Sequence, residues 1–291
     1  MMNRRTFLGA VSASVAAYKL GAFAEGGPFK PGFGLSGDAN RQLKTIGVQL
    51  YTVRRELAKD FEGTIAKIAD IGYKELEFFT YQDHSPQDVK AILQRHGLTS
   101  PSVHVDMKQL RDNLPQAIEA AHVIGHEYIV NPWVNAEDRK SIDDWKRIAA
   151  FLNQTAMKVN AAGLKFAYHQ HNFEFAPTEG RLPYDVLLAD TDPKLVKFEM
   201  DLYWITRGGQ DPLKYWNKYP GRFPLLHIKD MQKPPGQNFT EVGRGRIDFK
   251  KYLANADKAG AQHYFVEQDE TPGSPFDSLK ISYEYLKQLR F

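Results

Sequence analysis

The chain has no cysteine in its 291 residues. Disulfides, thiolate metal sites and cysteine nucleophiles are therefore excluded, and any bound metal must be held by His, Asp or Glu. A run of about eighteen apolar residues is also missing, so neither an ordinary membrane-spanning helix nor stable membrane insertion is expected. Excess charge of one sign is absent too. The formal net charge is +3, and Arg4, Arg5 and Lys19, in a stretch without acids over residues 1–24, account for it. The near-neutral remainder shows no basic stripe of the kind nucleic-acid binding needs, so no nucleic-acid partner is expected. What is present is an ordinary globular balance, 42% apolar and 25% charged. A chain of this length buries a full core without cross-links.

The N-terminus reads as an address. Asn3-Arg4-Arg5-Thr6-Phe7-Leu8-Gly9 has the form of a twin-arginine export signal. A mild apolar stretch runs from Ala10 to Ala17, and Ala22-Phe23-Ala24 offers the small-x-small pattern of a cleavage site. Residues 1–24 are thus expected to be a signal peptide, and the mature protein to be periplasmic or secreted. Residues 25–44, rich in Gly and Pro, read as a tether.

From residue 45 to the end, short apolar runs alternate with segments of helical period. The strands expected are Thr45–Leu50, Tyr73–Phe79, Thr99–Val105, Glu127–Val130, Leu164–His169, Leu195–Met200, Phe223–Ile228 and His263–Glu267. Helices are expected over Phe61–Ile71, Pro86–His96, Leu114–Ile124 and Ile142–Ala162, each followed at once by Gly as a stop signal. Further helices are expected near Tyr184–Ala189, Pro212–Trp216, Phe249–Ala259 and Phe276–Leu289. Eight such units point to an α/β fold built as a single (β/α)₈ TIM barrel over residues 45–291. The competing topology is a doubly wound open sheet, but no G-x-G-x-x-G follows the first strand.

Barrel chemistry gathers at the C-terminal ends of the strands. This sequence places Gln49, Glu77, His104, His169, Glu199, Asp201, His227 and Glu267 at or near such ends. His169, Asp201, His227 and Glu267 close four consecutive strands, so a closed barrel turns them toward one axis. Two imidazoles and two carboxylates there suit one divalent ion, manganese ahead of zinc, cobalt or iron, with coordination positions left for substrate oxygens. His84, His96, His122 and His126 read as surface residues, and Asp269 and Glu270 as solvated ones. His263 opens its strand at the opposite face, where no role is expected.

These residues resemble the xylose-isomerase-like TIM-barrel family, over about residues 45–291. The most specific segments are Tyr168-His169-Gln170-His171-Asn172-Phe173-Glu174-Phe175, Phe198-Glu199-Met200-Asp201-Leu202-Tyr203-Trp204, Leu226-His227-Ile228-Lys229-Asp230, Glu241-Val242-Gly243-Arg244-Gly245-Arg246-Ile247-Asp248 and Phe265-Val266-Glu267. The resemblance implies a metal held by Glu, Asp, His and Glu on strands five to eight. Asp201, His227 and Glu267 match. His169 stands where the family usually has Glu, which removes one of two symmetric bases and leaves Glu267 as the better one. Trp204 stands where many members have a second His, so the metal cluster of endonuclease IV is not expected.

The activity this implies is that of a sugar isomerase or epimerase: proton abstraction next to a carbonyl, through a metal-stabilised enediolate. Glu267 is the expected base, Lys229 the group that steadies substrate oxygens, and His104 a substrate hydrogen-bonding group or second base. Otherwise Lys229 would pair with Glu199 or Glu241. Phe79, Trp133 and Trp204 are candidate walls for a sugar face. The expected partner is a small sugar or glycoside; homo-oligomers are common for such barrels. Two alternatives stay open: a lyase acting by β-elimination on 3-keto-glycosides, and a sugar-binding barrel without catalysis.

Overall fold

The computed structural model describes residues 40–291. The expected signal, and the expected tether as far as residue 39, lie outside them. The rest of that tether is fastened down: Arg41 exchanges backbone hydrogen bonds with Phe291 (3.1 and 3.0 Å) and its guanidinium meets Asp257 at 2.6 Å.

Eight parallel strands close into a barrel: β1 (Gly47–Gln49), β2 (Glu75–Phe78), β3 (Thr99–His104), β4 (Tyr128–Asn131), β5 (Lys165–His169), β6 (Val196–Asp201), β7 (Leu225–Ile228) and β8 (His263–Val266). Each pairs with its neighbours in chain order, and β1 pairs with β8. The sheet is therefore closed, not the open doubly wound alternative. Helices wrap the outside, those at Phe61–Ile71 and Leu114–Ile124 with the bounds the sequence gives. Gly125 ends the second of these at φ 100°, a left-handed conformation that residues with a Cβ rarely adopt.

The interior is filled at its lower end by Tyr128, Val130, Ala167, Leu225 and Phe265, a core separate from the one under the helices. At this face His263 Nδ1 meets Glu75 at 2.9 Å, a hydrogen bond at the stability end of the barrel. Polar residues fill the barrel above.

Three details differ from the sequence reading. The strands are mostly shorter, because their outermost residues already belong to the loops. The helix expected over Phe249–Ala259 breaks at Asn255 into Phe249–Ala254 and Ala256–Ala259. Two short helices, Met107–Asp112 and Leu202–Arg207, follow β3 and β6 directly. Each starts on an aspartate: Asp106 accepts the Gln109 N–H, and Asp201 that of Trp204.

Candidate metal centre

Side chains two residues apart on a strand share a face. Glu199 and Asp201 on β6 therefore both point inward at two levels, as do His227 and Lys229 along β7 and just beyond it. The register Asp201↔His227 brings two of the expected ligands side by side. His169 ends β5, and Glu267 follows β8. The four residues are buried, and their ligand atoms lie within 4.8 Å of one another.

Asp201 divides its oxygens between two tasks. Oδ1 accepts the Trp204 N–H at 2.8 Å, while Oδ2 has no hydrogen-bond partner among the described residues. Neither ring nitrogen of His169 has one. His169 Nε2 and His227 Nδ1 each stand 3.7 Å from Asp201 Oδ2, and His227 Nδ1 is 3.0 Å from Glu267 Oε2. Gln170 ties this rim together, donating to the Asp201 carbonyl at 2.9 Å and accepting its N–H at 3.2 Å. A buried polar atom without a partner costs about 1–3 kcal/mol. One imidazole nitrogen, His169 Nε2, and one carboxylate oxygen, Asp201 Oδ2, in that condition, with His227 Nδ1 and Glu267 Oε2 beside them, are a donor set that fits a divalent cation.

The electrostatics agree. Burial raises the Asp201 and Glu267 carboxyls, but Lys229 and His227, joined by His169 at Asp201, outweigh it and hold both well below the usual range. Burial pushes His169 down, so its ring is neutral and carries a lone pair. Burial also disfavours the charged Lys229, yet Glu267, Asp269 and Asp201 around it keep it protonated.

Lys229 Nζ lies 3.0 Å from Glu267 Oε2 and 3.7 Å from Asp201 Oδ2, and pairs closely with Asp269. Its partners are thus not Glu199 or Glu241; the Glu241 carboxylate instead receives the Ser278 hydroxyl at 2.9 Å. Asp269, expected to be solvated, is turned inward by this pair. His126, expected at the surface, is 3% exposed. Its Nδ1 meets the Ser100 carbonyl at 2.8 Å and its Nε2 the Tyr81 hydroxyl at 2.8 Å.

A second group lies beside the first. Glu77 pairs in register with Gln49 and Ser102, and both donate to it, at 2.8 and 2.5 Å. His227 Nε2 meets Glu77 Oε2 at 2.7 Å, and His104 Nε2 meets Glu199 Oε2 at 2.8 Å. Although burial disfavours its charged form, flanking Glu77 and Glu199 raise His104 to about 9, so it is a cation at neutral pH. The sequence places Glu77 and Glu199 at strand ends, but they are not read there as converging. The signal was the i, i+2 spacing of Glu75/Glu77 and Glu199/Asp201, which repeats an inward carboxylate at two levels.

Over both groups opens a cavity of about 520 Å³. His104, His169, Lys229 and Glu267 line its floor, and the expected aromatics Phe79, Trp133 and Trp204 stand in its walls, joined by Tyr51 and Phe173.

A family model described as a xylose isomerase-like TIM barrel matches residues 65–289. Among curated proteins, an inosose dehydratase of Lacticaseibacillus casei is 26% identical over 163 residues, 50% of this chain and 54% of the relative. The chain thus spans about half the length of the curated relatives it matches. Among solved structures, a sugar phosphate isomerase/epimerase from Parabacteroides distasonis superposes with a TM-score of 0.74 at 28% identity, over 85% of this chain and 99% of that one. The IOLI protein, solved with a bound zinc atom, superposes at 0.66 and 16% identity over 82% of this chain and 95% of that one, a likeness of fold alone.

Proposed function

Because the chain belongs to the xylose isomerase-like TIM-barrel family, we propose that it is a metal-dependent isomerase or epimerase of a neutral sugar, working by proton removal next to a carbonyl. The observation that carries this is the meeting of His169, Asp201, His227 and Glu267 beneath an aromatic-walled cavity. These four would hold the ion, manganese first among the candidates. A divalent ion there supplies Lewis-acid polarisation of a substrate carbonyl and its neighbouring hydroxyl.

The chain's own residues do the rest. Glu267 takes the proton from carbon, with its carboxylate fixed by Lys229 and His227, both at 3.0 Å. The Lys229 ammonium offsets negative charge growing on the substrate oxygen. His104 lines the cavity with its Nε2 held by Glu199 and Glu77, which leaves Nδ1 for the substrate. As a cation it acts as a proton donor rather than the second base. Return of the proton to the opposite face gives an epimer, and to the neighbouring carbon an isomer. The neutral substrate follows from charge: Lys229 is the only lysine or arginine lining the cavity among the described residues, and three carboxylates already surround it. The other cation of the lining, His104, is likewise held by two carboxylates, Glu77 and Glu199, so neither positive group is free of a counter-charge to receive a phosphate.

A second reading, β-elimination from a 3-keto-glycoside, is favoured by one further feature. A neighbouring cavity of about 500 Å³ shares Phe79, His104 and Gln109 with the first and adds the amides of Gln82, Asn113 and Gln116. That is room and hydrogen-bonding capacity for a leaving sugar or aglycone. The curated relatives named as inosose dehydratases are in keeping with elimination chemistry. We also propose that the twin-arginine-type sequence directs the protein to the periplasm or beyond.

The test is exchange in D₂O. Manganese-loaded protein is incubated with candidate sugars and keto-sugars and followed by NMR. Deuterium at one carbon supports proton abstraction, and loss of a β-substituent assigns elimination. A sugar that binds without exchange makes the protein a binding barrel instead. Glu267→Gln should abolish exchange and keep most of the sugar affinity.

A further inference from the structure

The cavity of about 500 Å³ beside the metal centre shares Phe79, His104 and Gln109 with the one above it. Pockets from roughly 300 Å³ upward hold a small ligand, so a one-ring substrate needs only the first. The second has a composition of its own. None of its fourteen lining residues is Asp, Glu, Lys or Arg, although 25% of the chain is. Four of them, Gln82, Gln109, Asn113 and Gln116, are exposed amides. An amide both donates and accepts, as a sugar hydroxyl does. An ionic ligand finds no free counter-charge there, since two carboxylates already hold His104.

The walls are formed in advance. Asn113 stands at the N-cap of the helix Leu114–Ile124, where an Asn side chain ordinarily accepts a backbone N–H. It makes no capping bond, so its amide is left for the groove. Gln116 lies one turn on along the same face, followed by Ala117 and Ala120, whose small side chains leave the groove its width. Residues 80–84 make another wall. Thr80 Oγ1 accepts the Gln82 N–H at 3.1 Å and holds Gln82 at φ 51°, a left-handed conformation uncommon outside glycine. The Tyr81 hydroxyl meets His126 Nε2 at 2.8 Å. His84 stacks on Phe61 with ring centroids 4.2 Å apart, and its Nδ1 has no hydrogen-bond partner among the described residues. Unusual backbone held this firmly is a feature of binding sites.

We infer that this groove is a second sugar subsite, so that the substrate is a neutral glycoside of at least two units. Its reacting ring lies over the metal centre and its second ring against the amides of Gln82, Asn113 and Gln116. The inference rests on the barrel mouth as the reaction centre, and it holds whether the reaction there is epimerisation, isomerisation or elimination.

The probes are matched sugars: glucose with maltose, cellobiose, trehalose and phenyl β-glucoside, and galactose with lactose. Manganese-loaded protein is titrated with each by calorimetry. At least one disaccharide should bind about 10–100-fold more tightly than its monosaccharide, the gain that two hydrogen bonds supply. Saturation-transfer NMR on that disaccharide should show both rings in contact with the protein. Ala120→Phe, which fills the groove, should remove the gain, and Gln116→Leu should reduce it. Disaccharides no tighter than monosaccharides, contact through one ring only, or a gain that survives Ala120→Phe overturns the inference. So does an equal gain with the phenyl glucoside, which would make the occupant an aryl group, and so does a panel in which nothing binds. Disaccharide preference without deuterium exchange at any carbon leaves the subsite in place and removes the reaction centre. Exchange on monosaccharides without disaccharide preference does the reverse. The wild-type comparison decides the matter even if Ala120→Phe fails to fold.

Discussion

His169 Nε2 and Asp201 Oδ2 lie 3.7 Å apart in the barrel mouth, and neither has a hydrogen-bond partner among the described residues. Both belong to the native state only, so an ion that binds them stabilises folding by mass action. At a hundredfold excess over Kd this is about 2.7 kcal/mol, or a rise of roughly 5–10 °C in Tm for a domain of this size. Adding manganese or zinc to chelator-treated protein should produce that rise in a thermal melt. Asp201→Asn should lose it. An equal rise in wild type and Asp201→Asn would place the ion elsewhere.

Lys229 is held by Glu267, Asp201 and Asp269 and is 1% exposed. Lys229→Met keeps the stem and removes the charge. If Lys229 steadies a growing negative charge, kcat for exchange should fall about 10²–10³-fold, as for loss of one donor to an oxyanion. Metal content should remain at the wild-type level. Unchanged kcat with a raised KM would make Lys229 a binding group only.

His126 gives a pH signature away from the metal. Burial pushes its pKa down to about 4, against about 6.5 in the unfolded chain. The folded ring is neutral, so its stabilising contribution is complete above pH 6.5 and is lost as pH falls toward 4. The loss amounts to as much as ~3 kcal/mol. Urea midpoints of chelator-treated wild type and His126→Asn, compared between pH 7 and pH 4.5, should converge as the pH drops. Parallel curves would mean that the ring is accessible to protons in the folded state.

Much of the fold was legible because its determinants are local. Glycine stops and apolar period set the helices, and the alternation of strand and helix set the barrel. The meeting of His169, Asp201, His227 and Glu267 was legible for the same reason: each stands at a strand end, and closure of the sheet brings strand ends together. What the sequence did not disclose depends on register and on loops. The contact of Glu77 with His227 spans 150 positions and exists only because β2 and β7 face each other across the barrel. Asp269 is turned inward by Lys229, and His126 is buried by Tyr81 from a loop whose path the sequence leaves open. The helix break at Asn255 likewise follows from how the chain packs, since the apolar period runs through it.

The loop of Gly243-Arg244-Gly245 is clamped by one carboxylate. Asp230 accepts the N–H groups of Met231, Gly243, Gly245 and Ile247 at 2.8–3.1 Å. A Cβ at Gly245 would strike the Asp230 carboxylate and the Met231 carbonyl, and neither has room to move away. Gly245→Ala should therefore cost about 1–3 kcal/mol, as overpacking does. A thermal melt measures it. A wild-type Tm would show that the clamp yields.

The most direct test of the metal centre is anomalous diffraction from crystals grown with zinc or manganese. One peak should lie within about 2.0–2.3 Å of His169, Asp201, His227 Nδ1 and Glu267. A peak held by Glu77, His104 and Glu199 in their place, or no peak in the barrel mouth, would contradict it.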